Sequence, residues 1–417
     1  MRITIVTPGH LASNPRVVKE AMALHHAGHV VTIVHGQSVP GLIKQDATVV
    51  GPEWTVRPVP FGRRCAGLVR HLIQSVGTHL SFWLFDWMPT SQLRLKLASR
   101  GTSPIVADLQ RTCRRIGADL IITHYTAGLV AGALAAKYLG VPFTFDAEDF
   151  HLGDYPDTGE YARTRKMIRY IESAYLPEAV QVTAAAPLIA AAYHREYGIE
   201  STVILNCFPM QSALKTVEPR GSMTVPSIYW FSQTIGPDRG LECAILAMAA
   251  SRCRPHLYLR GYLKKGYSSV LVKLARENGV EGMVHFLPVA SPDEMVTLCV
   301  PYDVGLIGET GETENRRIAL TNKQFTYFLA GLPALMSDVP AHRQFAEEAG
   351  QAVSLYRTGD AISLAGLLDK MFECPQKLAE CREAALRSGK ERYNWENEAP
   401  KLVSVVNRIA SNTYDIH

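Results

Sequence analysis

Three stretches of this chain carry polar residues in an order that could do chemistry on an anionic ligand. The run "NKQFTYFLAGLPALMSD" at 322–338 reads as helix, stop and strand. Asn322 suits the cap, and Gly331 with Pro333 stops the helix after roughly ten residues. Lys323 then falls in the first turn, where a cation opposes the helix dipole unless an anion sits there. Free N–H groups at such a terminus would seat a diphosphate. Thr326, inside the helix, offers one hydroxyl to a ligand or bonds back to its own preceding turn.

The second stretch, "YWFSQTIGPDRGLE" at 229–242, reads as a strand, a Gly-Pro turn and a helix start, with Gln233 and Arg239 six residues apart. Arg239 in a first turn again calls for a negative partner, either a ligand or Glu242 on the next turn. The third is "TPGHLASNPRVVKEA", which leaves a strand through Gly9 and starts a helix at Asn14 and Pro15. Arg16 follows in the first turn. Either a phosphate or acceptor group, or a carboxylate from the acidic segment 146–160, would relieve it. His124 ends another strand, and the neighbouring strand ends in "DAEDFH", supplying Asp146, Glu148, Asp149 and His151. Such a cluster can bind hydroxyl groups or take a proton, with His124, Glu148 and Asp149 the candidates for catalysis and Asp146 and His151 for acceptor contact.

The elements that must position these residues alternate from end to end. Strands are predicted at 2–7, 29–35, 119–124, 142–147, 179–184 and 201–206, then at 227–233, 256–261, 283–289, 303–308, 333–338 and 352–356, with helices between. Two Rossmann-like α/β domains with parallel sheets facing a cleft would follow, at 1–207 and 227–393. Segment 208–226, with its prolines and no period, reads as a linker, and 394–417 as a closing helix that packs back on the first domain. Ligands of such sheets sit outside the carboxyl ends of the strands, where the residues above fall.

Composition agrees: 417 residues, 47% hydrophobic and 20% charged, with 31 Gly and 24 Pro spread along the chain. That is a soluble globular pattern, too long for one core. Residues 1–145 hold 15 Lys/Arg against 6 Asp/Glu, residues 146–205 hold 5 against 10, and the remainder balances. The basic character lacks interleaved aromatics, which speaks against nucleic acid. Eight cysteines form no CxxC pair and read as reduced thiols of a cytoplasmic protein. No zinc spacing occurs, and no cofactor is expected.

Taken together, "SNPRVVKEAMALHHAGHVVTIV" (13–34), "ADLIITHYTAGLVAGALAAKYLGVPFTFDAED" (118–149), "FSQTIGPDRGLE" (231–242) and "NKQFTYFLAGLPALMSDVP" (322–340) resemble the GT-B fold, nucleotide-sugar-dependent glycosyltransferases of the large retaining group called family 4. The resemblance covers both halves in order. It implies a UDP- or GDP-sugar donor on the second domain, held by Gln233, Arg239, Asn322, Lys323 and Thr326 with Gly9 from the first. It also implies a glycan, lipid-linked or small-molecule acceptor on the first domain, in a pathway such as polysaccharide biosynthesis.

Two departures stand out. Members of the group clamp the diphosphate with an Arg and a Lys, and Gln233 takes one of those positions. They also carry Glu, seven residues, Glu before the helix-ending Gly, where this chain has Ile318 and Thr326. The resemblance further implies metal-independent transfer in which the leaving phosphate accepts the acceptor's proton; Glu148 or Asp149 as a base would instead invert the sugar. Two other functions stay open on the same fold: a nucleotide-sugar epimerase, and a binding protein that has lost its chemistry.

One segment stands outside this scheme. "FGRRCAGLVRHLIQSVGTHLSFWLFDWMP" (61–89) has a helical apolar stripe, three arginines (63, 64 and 70) and Trp83 and Trp87 at its far end. It reads either as a buried helix of the first domain or as a peripheral contact with the inner face of a membrane.

Overall fold

The computed structural model describes residues 1–51, 53–89, 91–210 and 225–414. The chain divides into two compact units, Met1–Ile204 with the chain from Ala399 on, and Leu205–Glu398.

In the first unit seven parallel strands form one sheet: β1 (Arg2–Thr7), β2 (Val30–Gln37), β3 (Thr55–Pro60), β4 (Leu120–His124), β5 (Phe143–Ala147), β6 (Gln181–Ala184) and β7 (Ser201–Val203). Their order is β3-β2-β1-β4-β5-β6-β7. The sequence pattern misses β3 because Pro58 and Pro60 read as breakers. Proline is tolerated here because the strand lies at the sheet edge, with only β2 beside it. The small-residue run 127–136 lies in the helix Tyr125–Leu139, which is apolar nearly all round because it is buried. Its approach to the sheet is close: a Cβ on Gly132 would lie 2.2 Å from a methyl of Thr123 in β4.

The second unit has six parallel strands, β8 (Ser227–Ile235), β9 (His256–Leu263), β10 (Val284–Leu287), β11 (Val304–Ile307), β12 (Ala334–Ser337) and β13 (Val353–Tyr356). Their order is β10-β9-β8-β11-β12-β13. Alternation along β8 builds both layers: Ile228 and Trp230 enter the core with the helices Leu241–Ala250 and Ala361–Phe372, while Tyr229 and Phe231 enter the other with Phe325, Phe328 and Phe345.

Strand order reverses between β1 and β4 in one sheet and between β8 and β11 in the other, the points where parallel sheets open a crevice for ligands. The boundary expected at 207/208 falls three residues earlier. Cys207 and Phe208 pack into cores of the second unit, and Leu205 N–H donates to Glu398 at 2.9 Å. Residues 211–224 of the expected linker lie outside the described residues. No described helix is long and apolar enough to cross a membrane.

At the β8/β11 switch point, the turn after β8 crosses the end of β11 with almost no clearance. Gly240 has φ +69°, and a Cβ there would lie 2.3 Å from the Gly308 carbonyl oxygen. Gly240→Ala is expected to cost on the order of 2 kcal/mol or more in urea unfolding. A loss of only a few tenths would show that the crossing is not tight.

Candidate functional site

The crossing brings together side chains that the sequence scatters over a hundred positions. Glu309, just past β11, is buried and meets three cations. Arg316 Nη1 lies 3.1 Å from its Oε2, and Lys323 Nζ and Arg239 Nη1 lie 3.6 and 3.9 Å from its Oε1. Arg316 also donates to the Asp238 carbonyl at 3.2 Å, tying the two loops. Ser337 at the end of β12 donates to the Glu309 carbonyl at 2.7 Å and fixes its backbone. His342 adds no charge, since burial pushes its pKa down to about 4.

Glu309 is the buried carboxylate among these three cations, and Asp238 and Glu312 add negative charge beside them, Asp238 near Arg239 and Glu312 near Arg316. Burial disfavours the charged Glu309, but Lys323, Arg239 and Arg316 hold its pKa below the usual range. Burial lowers the pKa of Lys323 and of Arg239; Glu309 opposes this, while the neighbouring cations add to it. Lys323 sits 5.8 Å over the Trp230 ring, which supports its charge from below.

Several expectations change here. The helix after Asn322 is Lys323–Leu329, seven residues rather than ten, and the Asn322 side chain makes no capping bond. Arg239 precedes its helix (Leu241–Ala250) instead of lying in the first turn. It faces Glu309 rather than Glu242, which accepts from Tyr267. Gln233 is exposed beside a register shift in β8. Thr326 is fully buried and donates to the Asn322 carbonyl at 3.1 Å, the backbone-bonded of its two readings. Arg316 went unnoticed in the sequence. Its signal is the Thr313 cap of the short helix Glu314–Ile318, which turns the arginine toward Glu309.

The first unit gathers a different cluster around β4 and β5. Arg16, entirely buried, binds Asp146 through Nε and Nη2 at 2.6 and 2.7 Å and donates to the Ile204 carbonyl at 2.8 Å. The carboxylate of the acidic segment therefore occupies Arg16, and the side chain is not offered to a phosphate. Thr183 donates to Asp146 as well. One turn after Arg16, Glu20 lies 2.9 Å from His124 Nε2. On the other side His124 Nδ1 donates to Glu148 at 2.8 Å, and Asn14 donates to the same oxygen at 2.8 Å.

His124 was expected to project from its strand end. It is instead sealed, because the helix Pro15–His26 covers that end. Burial disfavours the imidazolium, but the charge of Glu20 and the bond donated to Glu148 win, and its pKa stands well above 6.5. Of the cluster's carboxylates Glu148 is the least buried. Tyr125, unremarked in the sequence, begins the next helix at φ +59°, a strained conformation of the kind that accumulates at functional sites. Glu20, His124 and Asp146 lie close enough to share a metal ion. They do not fit one, since Arg16 already takes both oxygens of Asp146.

His151 joins neither cluster. Its Nδ1 lies 3.0 Å from the Tyr193 hydroxyl and 3.3 Å from Glu172, with Tyr197 donating to Glu172 at 2.6 Å. It is a buried structural residue rather than an acceptor contact. Asp149 contributes its carbonyl to Tyr193 at 3.2 Å. Gly9 has open space where a Cβ would stand, so the fold does not itself require glycine there.

No family model matches the chain. A D-inositol 3-phosphate glycosyltransferase of Rhodococcus erythropolis is 26% identical over 317 residues, 70% of this chain and 69% of the relative. Among solved structures, sucrose-phosphate synthase of Thermosynechococcus elongatus superposes with a TM-score of 0.74 at 15% identity, covering 99% of this chain and all of that one. Anabaena Alr3699/HepE in complex with UDP-glucose gives 0.70 at 16%, covering 98% and all. The chain has the GT-B fold, two Rossmann-like α/β domains.

Two predictions follow from the buried charges. Asp146→Ala strands Arg16 without a partner and is expected to cost about 3–5 kcal/mol in chemical denaturation; a change under ~1 kcal/mol would show that water reaches the guanidinium. For His151, burial lowers the pKa, yet Glu172 raises it to about 9 from an ordinary 6.5. A histidine raised in the folded state stabilises fully below the unfolded value and loses that contribution as pH rises through the folded one. The stability gap between wild type and His151→Gln should narrow by on the order of 3 kcal/mol between about pH 6 and pH 10. A constant gap would mean the histidine is neutral throughout.

Proposed function

We propose that this protein is a retaining glycosyltransferase that moves a hexose from a UDP-sugar to a glycan, lipid-linked or small-molecule acceptor. The observation that carries the reading is the convergence of Arg239, Arg316 and Lys323 on Glu309 at the β8/β11 switch point. Three cations gathered there can hold a nucleoside diphosphate and stabilise its departure. The solved structure bound to UDP-glucose supports this donor class, and the inositol phosphate glycosyltransferase supports glycosyl transfer.

In the reaction the bond from the sugar's anomeric carbon to the phosphate oxygen breaks as the acceptor oxygen bonds to that carbon on the same face. The acceptor's proton passes to the departing phosphate. Arg239, Arg316 and Lys323 stabilise the charge that develops there, which is worth more in a partly desolvated site than in water. Glu309 holds the three cations at fixed spacing and keeps them from dispersing. Glu148, with His124 and Asn14 fixing its carboxylate, is the group offered to acceptor hydroxyls.

Thermal shift with UDP, GDP and UDP-glucose tests the donor site. UDP at about 100 times its Kd should stabilise the wild type by about 2.7 kcal/mol. Arg239→Ala should bind it about tenfold or more weakly, as expected for loss of a charge-assisted contact. No shift with any nucleotide removes the proposal. UDP-glucose alone yielding an altered free sugar nucleotide would replace transfer by epimerisation, and tight binding without turnover would leave a binding protein.

A further inference from the structure

The helix Leu68–Leu84 and the short turn Phe85–Trp87 that extends it are mounted inside out. Val69, Ile73, Val76, Leu80, Trp83 and Trp87 are between 57 and 80% exposed. At 100° per residue they span one continuous stripe. A buried helix of the first domain would turn such a stripe inward.

The side that packs on the domain is the polar one. Arg70 binds Asp108 at 2.7 Å and Gln74 donates to the same carboxylate. Ser81 is buried, and Phe85, also buried, meets Tyr170 edge-on at 5.6 Å with the Arg94 guanidinium 4.5 Å from its ring centre. Asp86 is held by Arg163 and Lys166 at 2.6 and 2.9 Å. These bonds fix the helix with its apolar face outward.

We propose that this face docks on an anionic phospholipid surface, with the helix lying in the plane of the interface. Charge selects the partner. Residues 60–115 contain nine Lys/Arg and two Asp/Glu, and both acids are already engaged by arginine or lysine. Arg63 and Arg64, on the short helix Gly62–Ala66 just before the stripe, are exposed. A second copy of the chain would bring this basic surface against itself, whereas an anionic leaflet neutralises it. Trp83 and Trp87 at the other end are the side chains that favour the boundary between headgroups and acyl chains. A helix of 17 residues is about 26 Å long, enough to lie flat with its stripe immersed and its anchored side above the headgroups.

The test is sedimentation of the full chain with vesicles of phosphatidylcholine alone or mixed with phosphatidylglycerol, at low and high salt. Wild type should pellet with the anionic vesicles, less so at high salt, and with a blue shift of tryptophan fluorescence that Trp83→Phe/Trp87→Phe abolishes. Ile73→Glu/Val76→Glu and Arg63→Glu/Arg64→Glu should each reduce binding at least ~10-fold. Both pairs are exposed, and an unchanged UDP-induced melting shift in each variant shows that the fold and the donor reading are untouched. No pelleting at low salt, or equal pelleting of the variants, overturns the proposal. A lipid-free dimer that Ile73→Glu/Val76→Glu dissociates would replace the membrane by a second copy.

Discussion

The cation cluster of the second unit depends on one buried carboxylate, Glu309, on which Arg239, Arg316 and Lys323 converge. The cations hold the pKa of Glu309 down against burial, whereas burial is the first cause of the lowered values of Lys323 and Arg239. The cluster forms because strands β8 and β11 lie side by side and Gly240 lets their loops cross. It is prepared by packing of the sheet rather than by any local sequence preference.

The first unit shows the opposite solution. Arg16 and the imidazolium of His124 are interleaved with Glu20, Asp146 and Glu148, so that each buried charge has a counter-charge within hydrogen-bonding or ion-pair distance. Such a network gains little net stability over an apolar core but is costly to break at any member. Its effect is positional: it fixes Glu148, the least buried carboxylate of the set, to the end of β5 through His124 and Asn14. One cluster interleaves its charges and orients a group; the other gathers three cations around one buried carboxylate.

The helix Leu68–Leu84 obeys the same rule that a group must find its partner somewhere. Its polar side is satisfied by Asp108 and by the residues around Phe85, which leaves the apolar side without protein to cover it. A contiguous exposed apolar stripe is the kind of surface feature that accompanies interaction sites.

Much of the fold was legible in the residues. Of the thirteen strands among the described residues twelve appear as short β-rich runs, and the one missed, β3, is disguised by Pro58 and Pro60, which only its edge position permits. Lys323 and Arg239 could be picked out because each sits near the start of a helix, where a cation is unfavourable. The physical reason each is there was not legible. Local pairing with Glu242 or a helix terminus was all that short range could suggest, while the true partner, Glu309, lies seventy residues from Arg239 and meets it only when β8 and β11 become neighbours. The same limit misread His124 and His151, whose strand-end positions look open until the helices Pro15–His26 and Ala162–Tyr175 close over them. For residues 68–87 the sequence determined the stripe, which is a matter of period alone; the direction it faces was decided by tertiary contacts on its polar side. Periodicity and end effects are local and can be read from the chain, whereas burial and the sign of the surrounding charge belong to groups that only the folded sheets bring together.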